Sequence, residues 1–230
     1  MSFHHSPRIV TNGLVLCLDA GNRKSYLGTG STWRDLSQNN NNVTLINSPT
    51  FSTSNFGNFS FNGSTQGGTI PNNTLLNTQT PSVEVWFRTS NLNQFGFFFE
   101  KGSVNTQYSL FMEGTNGIRW RQNFGAGFTS LDIPTTNLIT NTWYQLVGTF
   151  ISGTRRLYLN GVLITSDSQA GTISTNNSGM TIGAYNGGGP NLDAYYYNGS
   201  MSIIRVYNRN LSPSEVLQNY NATKGRFQLT

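Results

Sequence analysis

The dipeptide Asn160-Gly161 constrains this chain more than any other feature. It separates Leu157-Tyr158-Leu159 from Val162-Leu163-Ile164, two short runs of β-forming residues. Asn followed by Gly tolerates the two positive φ angles of a type I′ turn, whose twist matches the strands it joins. Upstream, residues 143–150 form a β-rich run without proline, and Ser152-Gly153-Thr154 supplies a turn into residues 155–159. Residues 141–166 therefore predict a three-stranded antiparallel meander, which reads as the middle of a larger sheet.

The remainder looks built to extend that sheet. Short β-type segments recur at residues 14–18, 43–46, 58–61, 82–90, 95–100, 108–113, 117–122, 128–133, 180–185 and 201–207. In residues 82–90 strict alternation sets Val83, Val85 and Phe87 on one face and Glu84, Trp86 and Arg88 on the other. Glu84 and Arg88 flank Trp86 there, which favours a structural ion pair. Asn62-Gly63 is a second candidate for a tight turn. Aromatic residues make up 13% and charged residues 10% of 230, with 25 glycines, which suits many short strands joined by neutral polar loops. One helix is expected. Ser212-Pro213-Ser214-Glu215 places Ser at the N-cap, Pro at the first helical position and Glu three residues past the cap. Val216, Leu217 and Tyr220 follow as an apolar stripe. The organisation is an N-terminal arm (1–12), one domain (13–223) and a tail (224–230) read as an edge strand or arm.

Several function classes lack their residues. The net charge of +5 comes from few acids, and no basic run exists beyond the pairs Arg23-Lys24 and Arg155-Arg156. Nucleic-acid binding normally requires a concentrated basic face, so no nucleic-acid partner is expected. No stretch approaches the length of a transmembrane helix, no apolar signal segment opens the chain, and no membrane association is expected. Cys17 is the one cysteine and lies in an apolar run, which predicts a buried, unreactive thiol. The two histidines, His4 and His5, both fall in the arm, a poor foundation for a triad or a zinc site.

The order SVEVWFRTS, FFFEKG, YSLFMEG, TWYQLVGTF, RRLYLNGVL, MTIGAYN and GSMSIIRVYNRNLSPSEVLQNYNATKG resembles the laminin-G-like branch of the concanavalin A-like lectin/glucanase superfamily. The closing motif carries most of the likeness, through Gly199, Arg205, Tyr207, Asn208, Arg209, Leu211 and Ser212 to Glu215. The opening GLVLCLDAGNRKSYLGTGSTWRDLSQNNNN resembles the lead-in of such domains in structural proteins of tailed bacteriophages, the cyanophage type especially. The resemblance implies an all-β, two-sheet antiparallel jelly-roll sandwich with one short C-terminal helix, and a virion localisation. Superfamily glycanases carry acids at alternating strand positions, because retaining hydrolysis needs two carboxyls about 5 Å apart. No such pair occurs among the nine acids, so the expectation is a protein that is not an enzyme. Relatives also bind calcium through an acid after the strand that matches residues 59–61. Asn62-Gly63-Ser64-Thr65-Gln66-Gly67 holds no carboxylate, which predicts no cofactor and leaves calcium only an option with Asp19, Asp35 or Asp193.

The candidate ligand site is the segment at residues 185–198. Sugar recognition needs a flat aromatic face beside amides or carboxylates, and Tyr185, Asn186, Asn191, Asp193, Tyr195, Tyr196 and Tyr197 offer both. Successive tyrosines on a strand alternate faces, so at least one belongs to the core, and the same tyrosines suit a protein interface. Two functional readings stand. One is a virion structural protein that decorates a capsid or belongs to a tail or fibre, its partners other virion proteins. The other is a carbohydrate-binding module that recognises host surface polysaccharide. Extended arms can add strands to a neighbouring sheet, so a homo-oligomer is expected as well.

Overall fold

The computed structural model describes residues 7–102, 107–186 and 192–229. Among these the strands are, in chain order, β1 (Leu14–Asp19), β2 (Thr32–Trp33), β3 (Val43–Ile46), β4 (Thr50–Ser52), β5 (Asn58–Asn62), β6 (Gly67–Ile70), β7 (Ser82–Arg88) and β8 (Phe95–Lys101). Then come β9 (Tyr108–Glu113), β10 (Ile118–Asn123), β11 (Phe128–Ile133), β12 (Tyr144–Ile151), β13 (Thr154–Leu159), β14 (Val162–Asp167), β15 (Met180–Ile182) and β16 (Asn198–Tyr207), and a helix α1 (Pro213–Thr223) follows.

The strands form two antiparallel eight-stranded sheets. The first runs β14-β13-β12-β7-β16-β5-β4; the second runs β11-β10-β9-β8-β15-β6-β3-β2. Strand β16 is long enough to take two neighbours along one side. Residues 198–201 pair with β5, while residues 203–207 pair with β1. Between the sheets lies one continuous apolar core that includes Trp33, Val83, Val85, Phe87, Phe98, Trp120 and Leu146. The alternation in β7 is as expected, with Val83, Val85 and Phe87 inward and Trp86 in a separate cluster under α1. Cys17 is buried in β1, and burial raises its pKa.

Asn160 and Gly161 do adopt positive φ angles, 52° and 77°, and close the hairpin from β13 to β14. The meander nevertheless occupies one flank of its sheet, with β14 as the terminal strand, not the middle. Strand β12 finds β7 on its free side, and among the described residues no strand pairs beyond β14. Asn62-Gly63 also differs from the expected tight turn. It opens a wider loop that carries the chain from one sheet to the other, and the Asn62 Oδ1 accepts from the amides of Ser64, Thr65 and Gln66. Helix α1 begins as read, with Ser212 and Glu215 capping each other reciprocally. Its inward face is Val216, Asn219, Tyr220 and Thr223, while Leu217 is 46% exposed.

The outer face of the first sheet is closed by α1 and the terminal segments. Buried Glu84 accepts hydrogen bonds from Arg205 (2.6 Å), Asn219 (2.9 Å), Gln145 (3.0 Å) and Trp86 (3.1 Å). Its ionic partner is therefore Arg205 on β16, not Arg88, whose guanidinium lies over Trp143 at 5.5 Å. The N-terminal arm is tied down within the domain at residues 8–10. The Val10 amide donates to Asn219, its carbonyl accepts from Tyr207, and the Arg8 carbonyl accepts from Gln218. The tail is no edge strand. Residues Lys224–Phe227 form a 3-10 turn that stacks Phe227 on Trp86 at 4.1 Å, and Arg226 binds Asp19.

Candidate functional site

On the outer face of the second sheet, side chains two residues apart along neighbouring strands build an aromatic surface. β8 contributes Phe95 and Phe97, β9 contributes Phe111, β10 contributes Arg119 and Arg121, and β11 contributes Phe128. The register places Phe97 opposite Phe111 and Phe111 opposite Arg119. Phe97 and Phe111 stack at 4.5 Å with an 8° interplanar angle. The Arg121 guanidinium lies 4.6 Å from the Phe128 ring and 4.8 Å from that of Phe111. Burial among the rings lowers its pKa, while Glu100 opposes that shift.

The described residues between β15 and β16, 183–186 and 192–197, pack against this surface. A bridge between Tyr185 and Ala194 joins the two stretches, and the Phe97 amide, displaced by a bulge in β8, donates to the Tyr195 carbonyl at 3.1 Å. Gly96 makes the approach feasible, since a Cβ there would lie 2.7 Å from the Tyr197 Cα. Tyr195 takes a φ of 50° and stacks on Phe95 at 4.1 Å, with Tyr185 edge-on at 5.8 Å. Tyr195, Phe128 and Phe95 remain 46%, 48% and 37% exposed, although residues of this type are usually buried. Beside them is a cleft of about 200 Å³ lined by Phe95, Phe111, Phe128, Glu113, Arg119 and Arg121. Arg119 binds Glu113, Asp132 and the Ser130 hydroxyl together, which fixes its fork at the cleft wall. Flat hydrophobic faces thus border a small group of charged donors and acceptors.

The tyrosines read from the sequence divide by environment. Tyr185 and Tyr195 join the surface. The Tyr196 hydroxyl donates to the Leu192 carbonyl within its own loop, and Asp193 is exposed, its amide bonded to the Tyr185 carbonyl. The Asn186 amide donates to Glu100. Tyr197 is fully buried against Phe98 and donates to the Arg88 carbonyl, so it is the core tyrosine that alternation required and cannot touch a ligand. Asn191 falls outside the described residues. The sequence reading missed Phe95, Phe97, Phe111, Arg121 and Phe128. The alternations Phe95-Gly96-Phe97 and Arg119-Trp120-Arg121 were the available signal, the outer two residues of each set facing away from the core.

A laminin-G-type model described as the Concanavalin A-like lectin/glucanases superfamily matches residues 62–217. The chain belongs to this superfamily. A comparison with curated proteins gives no match. Among solved structures it is similar to the receptor-binding domain of botulinum neurotoxin C/D mosaic serotype, with TM-score 0.71 and 19% identity, covering 92% of this chain and 51% of that one. The binding domain of Paraclostridial Mosquitocidal Protein 1 gives TM-score 0.70, 19% identity and coverage of 92% and 52%. This superfamily member therefore spans about half the length of the toxin domains it matches. Domain 4 of AbnA, a GH43 extracellular arabinanase from Geobacillus stearothermophilus solved with arabinotriose, is matched over 98% of its length and 90% of this chain, with TM-score 0.67 and 17% identity. These likenesses are of fold.

The acids of this lectin-like chain are mostly engaged by the protein itself. Six of nine stand in ion pairs: Asp19, Glu84, Glu113, Asp132, Asp167 and Glu215. The Asp35 oxygens accept from the Cys17, Ser37 and Asn41 amides and the Ser37 hydroxyl. Among the described residues no three or more of His, Cys, Asp and Glu come together, and no helix is long and apolar enough to cross a membrane.

Proposed function

We propose that this protein is a non-enzymatic glycan-binding module that holds sugar on the aromatic surface of β8–β11. The observation that carries this reading is the Phe95–Tyr195 stack, half-exposed beside a cleft bearing Glu113 and Arg119. A pyranose or furanose ring presents apolar CH groups on its faces and hydroxyls at its rim. Stacked aromatic rings cover the first, while a fixed guanidinium and carboxylate meet the second. A structure of similar fold solved with arabinotriose adds support for a glycan as ligand. On an array of bacterial surface polysaccharides, Tyr195→Ala and Phe128→Ala should each lower retention about tenfold, equivalent to one lost stacking contact. Wild-type protein that binds no polysaccharide on the array, or natively folded variants that bind as well as wild type, would overturn the assignment.

The setting we infer is the surface of a bacteriophage particle, on capsid or tail, where such a module would hold the particle against host polysaccharide. Its support is the opening segment, residues 13–42, and its resemblance to the lead-in of phage structural proteins. The terminal segments lend no further support, since residues 8–10 and 224–229 pack on their own domain. Purified chain should co-sediment with phage particles or emptied shells; chain left wholly in the supernatant counts against this setting. For self-association the support is β14, a terminal strand with Val162, Leu163 and Ile164 exposed in succession.

A further inference from the structure

The two sheets end together at the flank opposite β14, where β4 closes one and β2 closes the other. Between these edges runs a groove that the glycan reading does not use. One part, about 310 Å³, is lined by Arg23, Tyr26, Leu27, Phe51, Thr53 and Phe56. A second part, about 510 Å³, shares Tyr26, Gly28 and Phe51 and continues past Ser31 and Pro49. The walls of the first part are mainly apolar and those of the second mainly polar, and the rims hold Leu27 at 60% and Phe56 at 71% exposure.

Phe56 is held out under strain. It and Asn55 take consecutive left-handed conformations, with φ of 61° and 52°. Bulky residues avoid that region, and they persist there only where the surroundings impose it. The surroundings do impose it. Asn55 is gripped by Trp143 Nε1 (3.1 Å), and Gly21 lies so close that a Cβ on it would meet the Phe56 carbonyl at 1.8 Å. The fold therefore fixes a large ring in solvent at the mouth of an apolar groove.

Charge and backbone specify the occupant further. Arg23 is exposed at this mouth, Lys24 follows it as a second exposed cation, and neither stands in any of the ion pairs among the described residues. The carboxylate nearest them in sequence, Asp19, is held by two 2.8 Å contacts from Arg226. Among the described residues strand β4 pairs only with β5, so its other side presents backbone without a strand partner along the groove. An extended peptide could add to that edge, seat an apolar side chain between Tyr26, Phe51 and Phe56, and place an acid against Arg23. We propose that this groove binds an acidic, extended segment of a partner protein through an aromatic or aliphatic anchor. The site is independent of the aromatic surface on β8–β11.

An array of random decapeptides probed with purified full-length chain tests this. The bound peptides should share an aromatic or large aliphatic residue within two positions of Asp or Glu. Phe56→Asn, whose new side chain suits the left-handed backbone, and Arg23→Gln should each lower that signal about fivefold or more. Both variants should retain wild-type polysaccharide binding, which separates this site from the glycan site. The proposal is overturned if no such motif is enriched, if the variants bind the enriched peptides undiminished, or if phosphatidylserine vesicles are bound in a Phe56-dependent manner and peptides are not.

Discussion

Lys101 is fully buried, and its ammonium is held by the Ser178 carbonyl at 2.6 Å and the Asn72 Oδ1 at 3.3 Å. Burial lowers its pKa from the ordinary 10.5 to about 8. The folded state therefore releases this proton before the unfolded chain does. Between about pH 8 and 10.5 the unfolded state binds more protons, so stability rises with pH, by at most about 1.4 kcal/mol per pH unit. Urea midpoints should climb from pH 7.5 to 9.5 in the wild type and stay level in Lys101→Met; a flat or falling wild-type profile contradicts this. Above that range buried Tyr108, Tyr197 and Tyr207, all shifted up by burial, oppose the trend because they ionise first in the unfolded chain. At this scale the sequence revealed faces but not partners. Alternation placed Glu84 and Arg88 on one side of β7 correctly, yet the cation that reaches Glu84 comes from β16, 121 residues away. Spacing along one strand carries no information about which strand lies beside it.

Elements with strong local chemistry were legible. The Asn160-Gly161 turn and the Ser212–Glu215 cap each follow from the backbone needs of their own few residues. β6 was not, because Gly67-Gly68 does not look like a strand. A Cβ would lie 2.4 Å from Leu192 Cδ1 at the first position and 2.4 Å from Val43 Cγ1 at the second, so glycine is demanded by neighbours that only the fold supplies. β14 was legible as a strand but not as an edge. Its open side and three exposed apolar residues, with no charge before Asp167, leave it without the usual protection against edge pairing. Sedimentation velocity should show a reversible dimer for the wild type and a monomer for Leu163→Lys. A wild-type monomer at all concentrations would exclude β14 as a self-association edge.

The fold class was readable because the sixteen short strands among the described residues need fifteen connections, and the chain is rich in turn residues. The candidate site was only half readable. Tyr185 and Tyr195 stood out in an aromatic loop, but the surface they complete is assembled from β8, β9, β10 and β11, and only the topology brings these together. The packing of residues 8–10 and 224–227 was hidden for the same reason: a short polar stretch reads as an arm until Asn219, Tyr207 and Trp86 are known to receive it. The place of β16 also bears on how the molecule is made. β1, β5 and β7 all await a strand that emerges from the ribosome after every other one, and Leu14 must find Tyr207. Such contacts between distant residues slow folding, and strands that wait for a neighbour remain open to wrong ones. Synthesis must therefore pass Tyr207 before the first sheet can close, so a nascent chain stalled short of residue 198 would leave the ribosome with β5 and β7 uncovered on facing sides.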